Sequence, residues 1–445
     1  MSASLKENPA LRNSNRRRGV RLRCFRYAAI ALMAAANRAF AAANHSAEQV
    51  YTLPPDKLAK AIALSRDRTL LHFGNTAWML LALFALLHFG LGAAIARWSR
   101  GKTGKPWLQM LLAAPLWMVI LAALELPAGL IGQHVERLYG ISVQSWASWF
   151  TDQATSAVLT VLFGTLVLSV VYALMRRSPR RWWLWFWILT LPLEVCLVFL
   201  APVVVDPLFD HFQPLEKVSP ALVVELQKVV HRGGMDIPPD RMYVMDASAK
   251  LTGLNAYVTG FGASKRVVVW DNTVKEEPPD EILFTYGHEQ GHYVLHHIAK
   301  GLVFFAALLF AIYWIGFRLT GALLRRYGGR WRIASAGDSA SVALILFLVT
   351  LLSFLAEPAQ NAFSRHIEHE ADVYGQEVIH GLVADPQQTA VRSFMRYGVV
   401  WLDDPSPNPA VEFWTYSHPS IAERAAFAAE YDPWKDGEKP KFFSR

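Results

Sequence analysis

Six long apolar runs constrain the fold of this chain more than any other feature of its sequence. They cover residues 70–96, 107–132, 156–175, 182–205, 302–324 and 341–356. Each run is close to the roughly 20 residues that a helix needs to cross a bilayer. The composition agrees, because only 18% of the residues are charged, against about 25% in ordinary soluble domains. The sequence therefore predicts a mostly α-helical, multi-pass integral membrane protein.

The N-terminal residues have the layout of a secretory signal peptide. A basic stretch precedes a short apolar stretch at 27–36, and Ala39-Phe40-Ala41 matches a cleavage pattern. An uncleaved membrane anchor is the alternative. We predict that residues 1–43 are a signal peptide or an N-terminal anchor, and that residues 44–205 form a membrane region with four spans.

Two polar segments, 206–300 and 357–445, separate or follow the apolar runs. Two predicted spans within 301–356 lie between them, so both segments fall on the same face of the membrane. We predict that they are the first and second parts of one catalytic domain.

The chemistry is indicated by the pentapeptide His-Glu-Gln-Gly-His that begins at His288. Pro279 upstream is typical of a helix start, and residues four apart on a helix share a face. His288 and His292 can then bind one Zn²⁺ through neutral imidazoles. Glu289 can take a proton from a water on the same ion, because zinc lowers the pKa of that water to about 7. The alternative is a helix whose histidines face a polar chamber.

A catalytic zinc ion takes three protein ligands and keeps one position open. The segment 364–372 offers the third ligand, because Glu368 and Asp372 are four residues apart and share a helical face. We predict one Zn²⁺ per chain, bound by His288, His292 and Glu368, with Asp372 orienting a ligand histidine. The alternative for 364–372 is an ordinary charged helix beside the membrane.

Several further segments, taken in order with the metal motif, resemble one family. These segments are Asp206-Pro207-Leu208-Phe209-Asp210-His211-Phe212, the stretches 255–262, 265–273 and 364–372, Ser417-His418-Pro419-Ser420, and Glu423-Arg424. Through them the chain resembles the type 1 CAAX prenyl proteases, integral-membrane zinc metallopeptidases of the gluzincin group, over about residues 51–424. The resemblance implies six to seven membrane helices that enclose a chamber, with a zincin-like α+β catalytic domain.

The resemblance also implies roles that local patterns do not. Asn255, Ala256 and Tyr257 would begin an edge strand over the metal helix, to which an extended substrate adds by backbone hydrogen bonds. His418 would donate to the oxyanion, and Arg424 would support that pocket. Glu125 and Glu194 lie inside apolar runs. They would face either the chamber or a neighbouring helix, because an acid facing lipid is costly.

The leading interpretation is a zinc-dependent endopeptidase that cleaves peptides or proteins, with membrane lipid around it. A membrane quality-control protease has the same chemistry and differs only in its substrate. A scaffold or transporter with a vestigial zinc site is an alternative of another class, although Glu289 and all three ligands are present. The N-terminus looks bacterial, so a requirement for prenylated or otherwise lipid-modified substrates stays open.

Basic clusters between the apolar runs predict the orientation. The net charge is +8, and the basic residues cluster at 16–26, 97–105, 176–181 and 325–332. Short basic loops of this kind follow the positive-inside rule, so the charge does not indicate nucleic acid binding. Placing all of them in the cytoplasm predicts a protein of the bacterial inner membrane whose catalytic domain faces the periplasm.

Overall fold

The computed structural model describes residues 50–260, 265–435, 437 and 439–443. The predicted signal peptide or anchor at 1–43 lies outside these residues. Six of the described helices are long and apolar enough to cross a membrane, which confirms the six predicted spans. The helices of the membrane region are α1 (Pro55–His88), α2 (Leu91–Lys102), α3 (Pro106–Leu138), α4 (Trp146–Arg177) and α5 (Trp182–Val204).

The remaining elements form the catalytic region and the last two spans. The short helices of the catalytic region before these spans are α6 (Leu215–Val218), α7 (Pro220–Arg232), α8 (Asp271–Glu276) and α9 (Pro279–Val294). The spans α10 (His297–Trp331) and α11 (Val342–Val378) follow. The chain ends with α12 (Pro386–Trp401), α13 (Pro409–Thr415) and α14 (Ile421–Glu430). Its strands are β1 (Phe212–Pro214), β2 (Met242–Met245), β3 (Ala256–Thr259) and β4 (Arg266–Trp270).

The first span differs from its prediction. The helix begins at Pro55, well before the apolar run, so the polar residues before position 70 form the first turns of α1. The apolar run does not continue as one helix to residue 96. It is interrupted at Gly90, whose left-handed conformation (φ 76°) ends α1 and starts α2. A glycine adopts this backbone conformation without the steric cost that other residues meet.

Helix α11 joins the membrane region to the catalytic region without a break. The predicted boundary between 356 and 357 falls inside it, and Pro358 is accommodated within the helix. At 1.5 Å per residue, α11 carries the chain roughly 39 Å from Val342 to Glu368. One rigid element therefore spans the membrane and also delivers a site residue.

The sheet is small and mixed. Its order is β1-β2-β4-β3, with β2 and β4 parallel and the other two pairings antiparallel. Strand β3 is therefore an edge strand, as the family resemblance implied for the segment that begins at Asn255. It packs beside α9.

Two apolar cores lie at opposite ends of the molecule. The first is shared by α7, α9, the sheet, the end of α11, α12 and α14, so the two polar segments pack around one core. The second joins α2, α3, α4, the loop 333–341 and the adjoining ends of α10 and α11.

Two of the membrane helices between these cores bury little of their surface. Within the apolar window of α5 only 6% of the residues are buried, and within that of α10 none is buried. In a compact bundle each helix would bury one face. Within the described residues, these two helices are thus exposed over most of their apolar length.

Candidate active site

Helix α9 positions three of the predicted site residues. It begins at Pro279 with two acids in its first turn, where negative charge stabilises a helix, and it ends at Val294. His288, Glu289 and His292 lie in its second half. Helix α9 approaches α11 closely, because a Cβ at Gly287 would lie 2.6 Å from a methyl group of Val378.

The two histidines and Glu368 converge on one point. The Nε2 atoms of His288 and His292 are 3.2 Å apart. Glu368 Oε2 lies 3.1 Å from the first of these nitrogens, and Glu368 Oε1 lies 3.6 Å from the second. In tetrahedral zinc sites with bonds of about 2.0–2.1 Å, neighbouring ligand atoms are about 3.3 Å apart. The three side chains thus have the spacing of a metal site.

The hydrogen-bonding groups around His288 also fit a cation. Asp372 Oδ1 lies 2.8 Å from His288 Nδ1, which places the ring proton on Nδ1 and a lone pair on Nε2. That lone pair faces Glu368 Oε2, which is buried and has no hydrogen-bond donor. Two acceptors at this distance repel each other unless a cation lies between them. The residues present therefore fit the metal ion that the motif predicts.

Arg424 holds Asp372 in place. Its Nε and Nη2 atoms donate to the two carboxylate oxygens of Asp372, at 2.9 and 2.6 Å. Its guanidinium also lies over the ring of Phe394, at 4.5 Å. The resemblance implied that Arg424 supports an oxyanion pocket. In the structure Arg424 lines the cleft, but its direct partner is Asp372.

One contact of His292 was not predicted from the sequence. The outer nitrogen of His292, Nδ1, lies 3.0 Å from His297 Nδ1, and His297 Nε2 lies 3.2 Å from Glu370. Lys300 donates to the same Glu370 oxygen at 3.0 Å. His297 is not among the site residues predicted from the sequence. Its spacing of five from His292 gives no helical signal, and the contact depends on His296, whose positive φ of 58° reverses the chain between α9 and α10.

Glu289 lies beside the convergence point, with Oε1 at 4.0 Å from His288 Nε2. Burial in the cleft, together with the nearby Glu368 carboxylate, raises the pKa of Glu289 to about 7. A pKa near the operating pH suits a group that must both accept and release a proton.

His418 lies on the loop between α13 and α14 and reaches the same point from the opposite side. Its Nε2 atom is 3.3 Å from Glu368 Oε2. The hydroxyl of Ser417 lies 2.9 Å from His418 Nδ1. When Ser417 donates to Nδ1, Nε2 carries the ring proton and becomes a donor towards the cleft.

The cleft in front of these residues has a volume of about 590 Å³. Asn255 lies in its wall, just before β3, and aromatic side chains line another part of it, among them Phe284, Tyr397 and Trp401. Asn255 is fixed by a hydrogen bond from its backbone N–H to the Thr273 hydroxyl, at 2.8 Å. Ala256 and Tyr257 follow in β3, where they pair with β4.

Glu125 and Glu194 differ in their surroundings. Glu125 accepts a hydrogen bond of 3.1 Å from Asn75 of the neighbouring helix α1. Within the described residues, Oε1 of Glu194 is buried without a hydrogen-bond partner. A hydrogen bond to a neighbouring helix therefore explains how Glu125 is tolerated in an apolar run. Among the described residues, no such bond explains Glu194 Oε1.

Comparisons with known proteins agree with this site. A family model described as the CAAX prenyl protease N-terminal region, with five membrane helices, matches residues 41–211, and a model of peptidase family M48 matches residues 220–432. The metalloprotease YhfN of Bacillus subtilis is 34% identical over 377 residues, which are 84% of this chain and 86% of the relative. CAAX prenyl protease 1 of Saccharomyces cerevisiae is 25% identical and covers 67% of each chain.

The fold is also similar to a solved structure. The crystal structure of Ste24p from S. mikatae superposes with a TM-score of 0.73, at 20% identity, over 87% of this chain and 94% of the other. The match includes both the membrane helices and the catalytic region, because it covers most of both chains.

Proposed function

Since this chain belongs to peptidase family M48 and is an integral-membrane metalloendopeptidase, we propose that its metal is one zinc ion per chain, bound by His288, His292 and Glu368. The observation that carries the proposal is the convergence of their ligand atoms at 3.1–3.6 Å. Nitrogen and carboxylate ligands in this number are typical of catalytic zinc.

Bound zinc would lower the pKa of water to about 7 and polarise a substrate carbonyl. Glu289 would then take a proton from the attacking water and pass it to the leaving amine, so it ends each cycle in its starting state. Asp372, held by Arg424, would keep the proton of His288 on Nδ1 and so leave Nε2 free to bind the metal.

His418 would stabilise the negative charge that develops on the substrate oxygen. Its Nε2–H points into the cleft when Ser417 donates to Nδ1, and a preorganised donor of this kind stabilises the transition state more than the substrate. Through Asp372, Arg424 would act on His288 as a positioning residue.

The substrate would be a polypeptide lying along β3. This strand is at the edge of the sheet, so Asn255, Ala256 and Tyr257 could pair with an extended chain. The aromatic wall of the cleft suits an apolar side chain. Some relatives are named as CAAX prenyl proteases, whereas the name of YhfN states no substrate. The proposal therefore covers peptides and proteins, lipid-modified ones among them.

The catalytic region would face the periplasm of a bacterial inner membrane. The support for this part of the proposal is the charge of the loops at the far end of the bundle, which contain basic clusters at 97–105, 176–181 and 325–332. Short basic loops beside membrane helices remain in the cytoplasm.

The function is tested with the full-length protein in lipid nanodiscs. We expect the wild-type protein to contain one zinc ion and to cleave a peptide ending in a CAAX sequence. Glu289→Gln should retain the zinc, because the ligands remain, and should lose roughly a hundredfold to ten-thousandfold in turnover. A variant with full activity, or a protein without zinc, would contradict the proposal.

A second comparison defines the substrate class. The same peptide is offered with and without a farnesyl group, and Glu289→Gln serves as the blank in both assays. Preference for the farnesylated peptide would assign lipid-modified substrates to this chain, and equal rates would assign unmodified polypeptides.

A further inference from the structure

A second cavity, of about 470 Å³, lies at the end of the bundle farthest from the metal site. It is bounded by the end of α2, the start of α3, the end of α4 and the loop 334–339. The length of α11 places it roughly 39 Å from Glu368. The chemistry proposed above makes no use of it.

The walls of this cavity are firmly packed. The Asp338 carboxylate accepts hydrogen bonds from the backbone N–H of Ala340, at 3.0 Å, and from Arg100 Nη1, at 3.1 Å. A Cβ at Gly92 would overlap the backbone oxygen of Ala340, so α2 and the loop are in direct contact. Tyr172 and Ser341 are joined by a buried hydrogen bond of 2.7 Å. The cavity is thus part of the folded structure of the second core.

The cavity carries an unneutralised positive charge. Arg100 is paired with Asp338, but Arg176, which is half-buried in the wall, forms no hydrogen bond or ion pair with any residue that the structure describes. The chain segments that contribute these arginines are also basic, because Arg97, Lys102 and Lys105 lie near Arg100, and Arg177, Arg180 and Arg181 follow Arg176. A half-buried guanidinium without a partner favours the binding of an anion.

Tryptophans mark the depth of the cavity in the membrane. Trp98 and Trp107, at the adjoining ends of α2 and α3, are 43% and 55% exposed. Tryptophan is enriched where headgroups meet water, so these residues place the cavity at headgroup level. Below it, Leu111 and Leu112 of α3 are exposed and offer an apolar surface to acyl chains.

We propose that this cavity binds the phosphate headgroup of an anionic phospholipid, with Arg176 contacting the phosphate and Arg100 at its edge. Basic pockets between membrane helices suit such headgroups, and guanidinium groups match the geometry of phosphate oxygens.

The test is native mass spectrometry of the full-length protein, released from micelles that contain phosphatidylcholine and phosphatidylglycerol in equal amounts. We expect preferential retention of phosphatidylglycerol by the wild-type protein. Arg176→Gln should reduce this retention about fivefold, which corresponds to about 1 kcal/mol for one cation at an anionic surface. Arg180→Gln is the matched control, because this exposed arginine does not line the cavity.

A second variant distinguishes lipid binding in the cavity from attraction to the basic surface in general. Ser335→Trp should fill the cavity without changing any charge, and it should abolish the preference for phosphatidylglycerol while the zinc content stays that of the wild type. If Arg176→Gln and Arg180→Gln lost phosphatidylglycerol retention equally, the lipid would be attracted by the basic surface alone, and the proposal would be overturned. Retention unchanged by Ser335→Trp, or displacement of the lipid by inorganic phosphate, would overturn it as well.

Discussion

At the scale of single residues, the site depends on what fixes the outer nitrogen of each histidine. The outer nitrogen of His288 faces Asp372, and that of His292 faces His297. Both partners are in turn held by charged groups, Arg424 in the first case and Glu370 in the second. Such partners fix the ring orientation and the tautomer, so they affect metal affinity without touching the metal.

The role of His297 can be measured directly. We expect His297→Ala to lower zinc affinity about tenfold to a hundredfold, because the ring of His292 loses the acceptor at its outer nitrogen. Competition with a zinc chelator gives the affinity, and His297→Gln should restore part of it through the side-chain carbonyl. His296→Asn is the control, since asparagine tolerates the positive φ at that position. Equal affinity of His297→Ala and the wild-type protein would show that the contact is incidental.

The proposed role of His418 predicts a different pattern. His418→Ala should bind zinc normally and lose roughly a hundredfold or more in kcat, with a smaller change in KM, because the donor acts in the transition state. Steady-state kinetics on a fluorogenic peptide separates the two parameters. His366→Ala, which removes an exposed histidine two residues before Glu368, should leave both unchanged. A rate for His418→Ala within twofold of the wild-type rate would reduce His418 to a loop residue.

At the scale of elements, the pairing of α9 with α11 brings the proposed ligands together. Gly287 faces Val378, and a Cβ at Gly375 would lie 2.9 Å from the backbone nitrogen of His288. The small residues let the two helices approach until Glu368 reaches the histidines. The geometry of the site therefore depends on the separation of the two helices as well as on its ligands.

This sensitivity gives a prediction at Gly375. Gly375→Ala should push α9 away, lower zinc occupancy and destabilise the protein by about 1–3 kcal/mol, as overpacking does. Zinc analysis and thermal unfolding in detergent measure the two effects. Gly74→Ala is the control, because a Cβ at that helical glycine would meet nothing within 4 Å. Full zinc occupancy in Gly375→Ala would contradict the proposed role of this contact.

The same elements show what the sequence could predict. Apolar length alone identified the six spans, and the spacing of His288, His292, Glu368 and Asp372 on two helices identified four side chains that do converge. Both are local signals that need no knowledge of the tertiary fold. Gly90 was inside an apolar run and gave no local sign that α1 would end there.

Non-local geometry explains what was missed. The contact between His297 and His292 follows from a single residue with positive φ, and a spacing of five does not predict it. The glycine contacts between α9 and α11 join residues far apart in the chain. The strand order β1-β2-β4-β3 likewise depends on pairings that no periodicity specifies.

At the scale of the whole molecule, the two ends differ in the residues and cavities that they contain. One end contains the cleft and the proposed metal site, and the other contains the basic loops, the second core and the cavity lined by Arg176. The membrane helices separate the two, so the proposed orientation, which rests on the loop charges, also sets the compartment in which the peptidase would act.

Reporter fusions test this orientation. Alkaline phosphatase fused after Arg445 should be active if, as we propose, the basic loops at the far end lie in the cytoplasm. A fusion after Gly104, within the first basic loop, is the internal control and should be inactive. Fluorescence of a cytoplasm-only reporter at the C-terminus would place the catalytic region on the other side.

The course of helix α11 also has a consequence for the biosynthesis of the protein. A nascent chain that has reached residue 340 contains His288, Glu289 and His292, but the third proposed ligand has not yet been translated. With two ligands in place of three, the unfinished chain has no complete catalytic centre while it is still beside the translocon and other newly made proteins. On the proposed ligand set, the metal site is complete only after the last span has been made and Glu368 has reached His288 and His292.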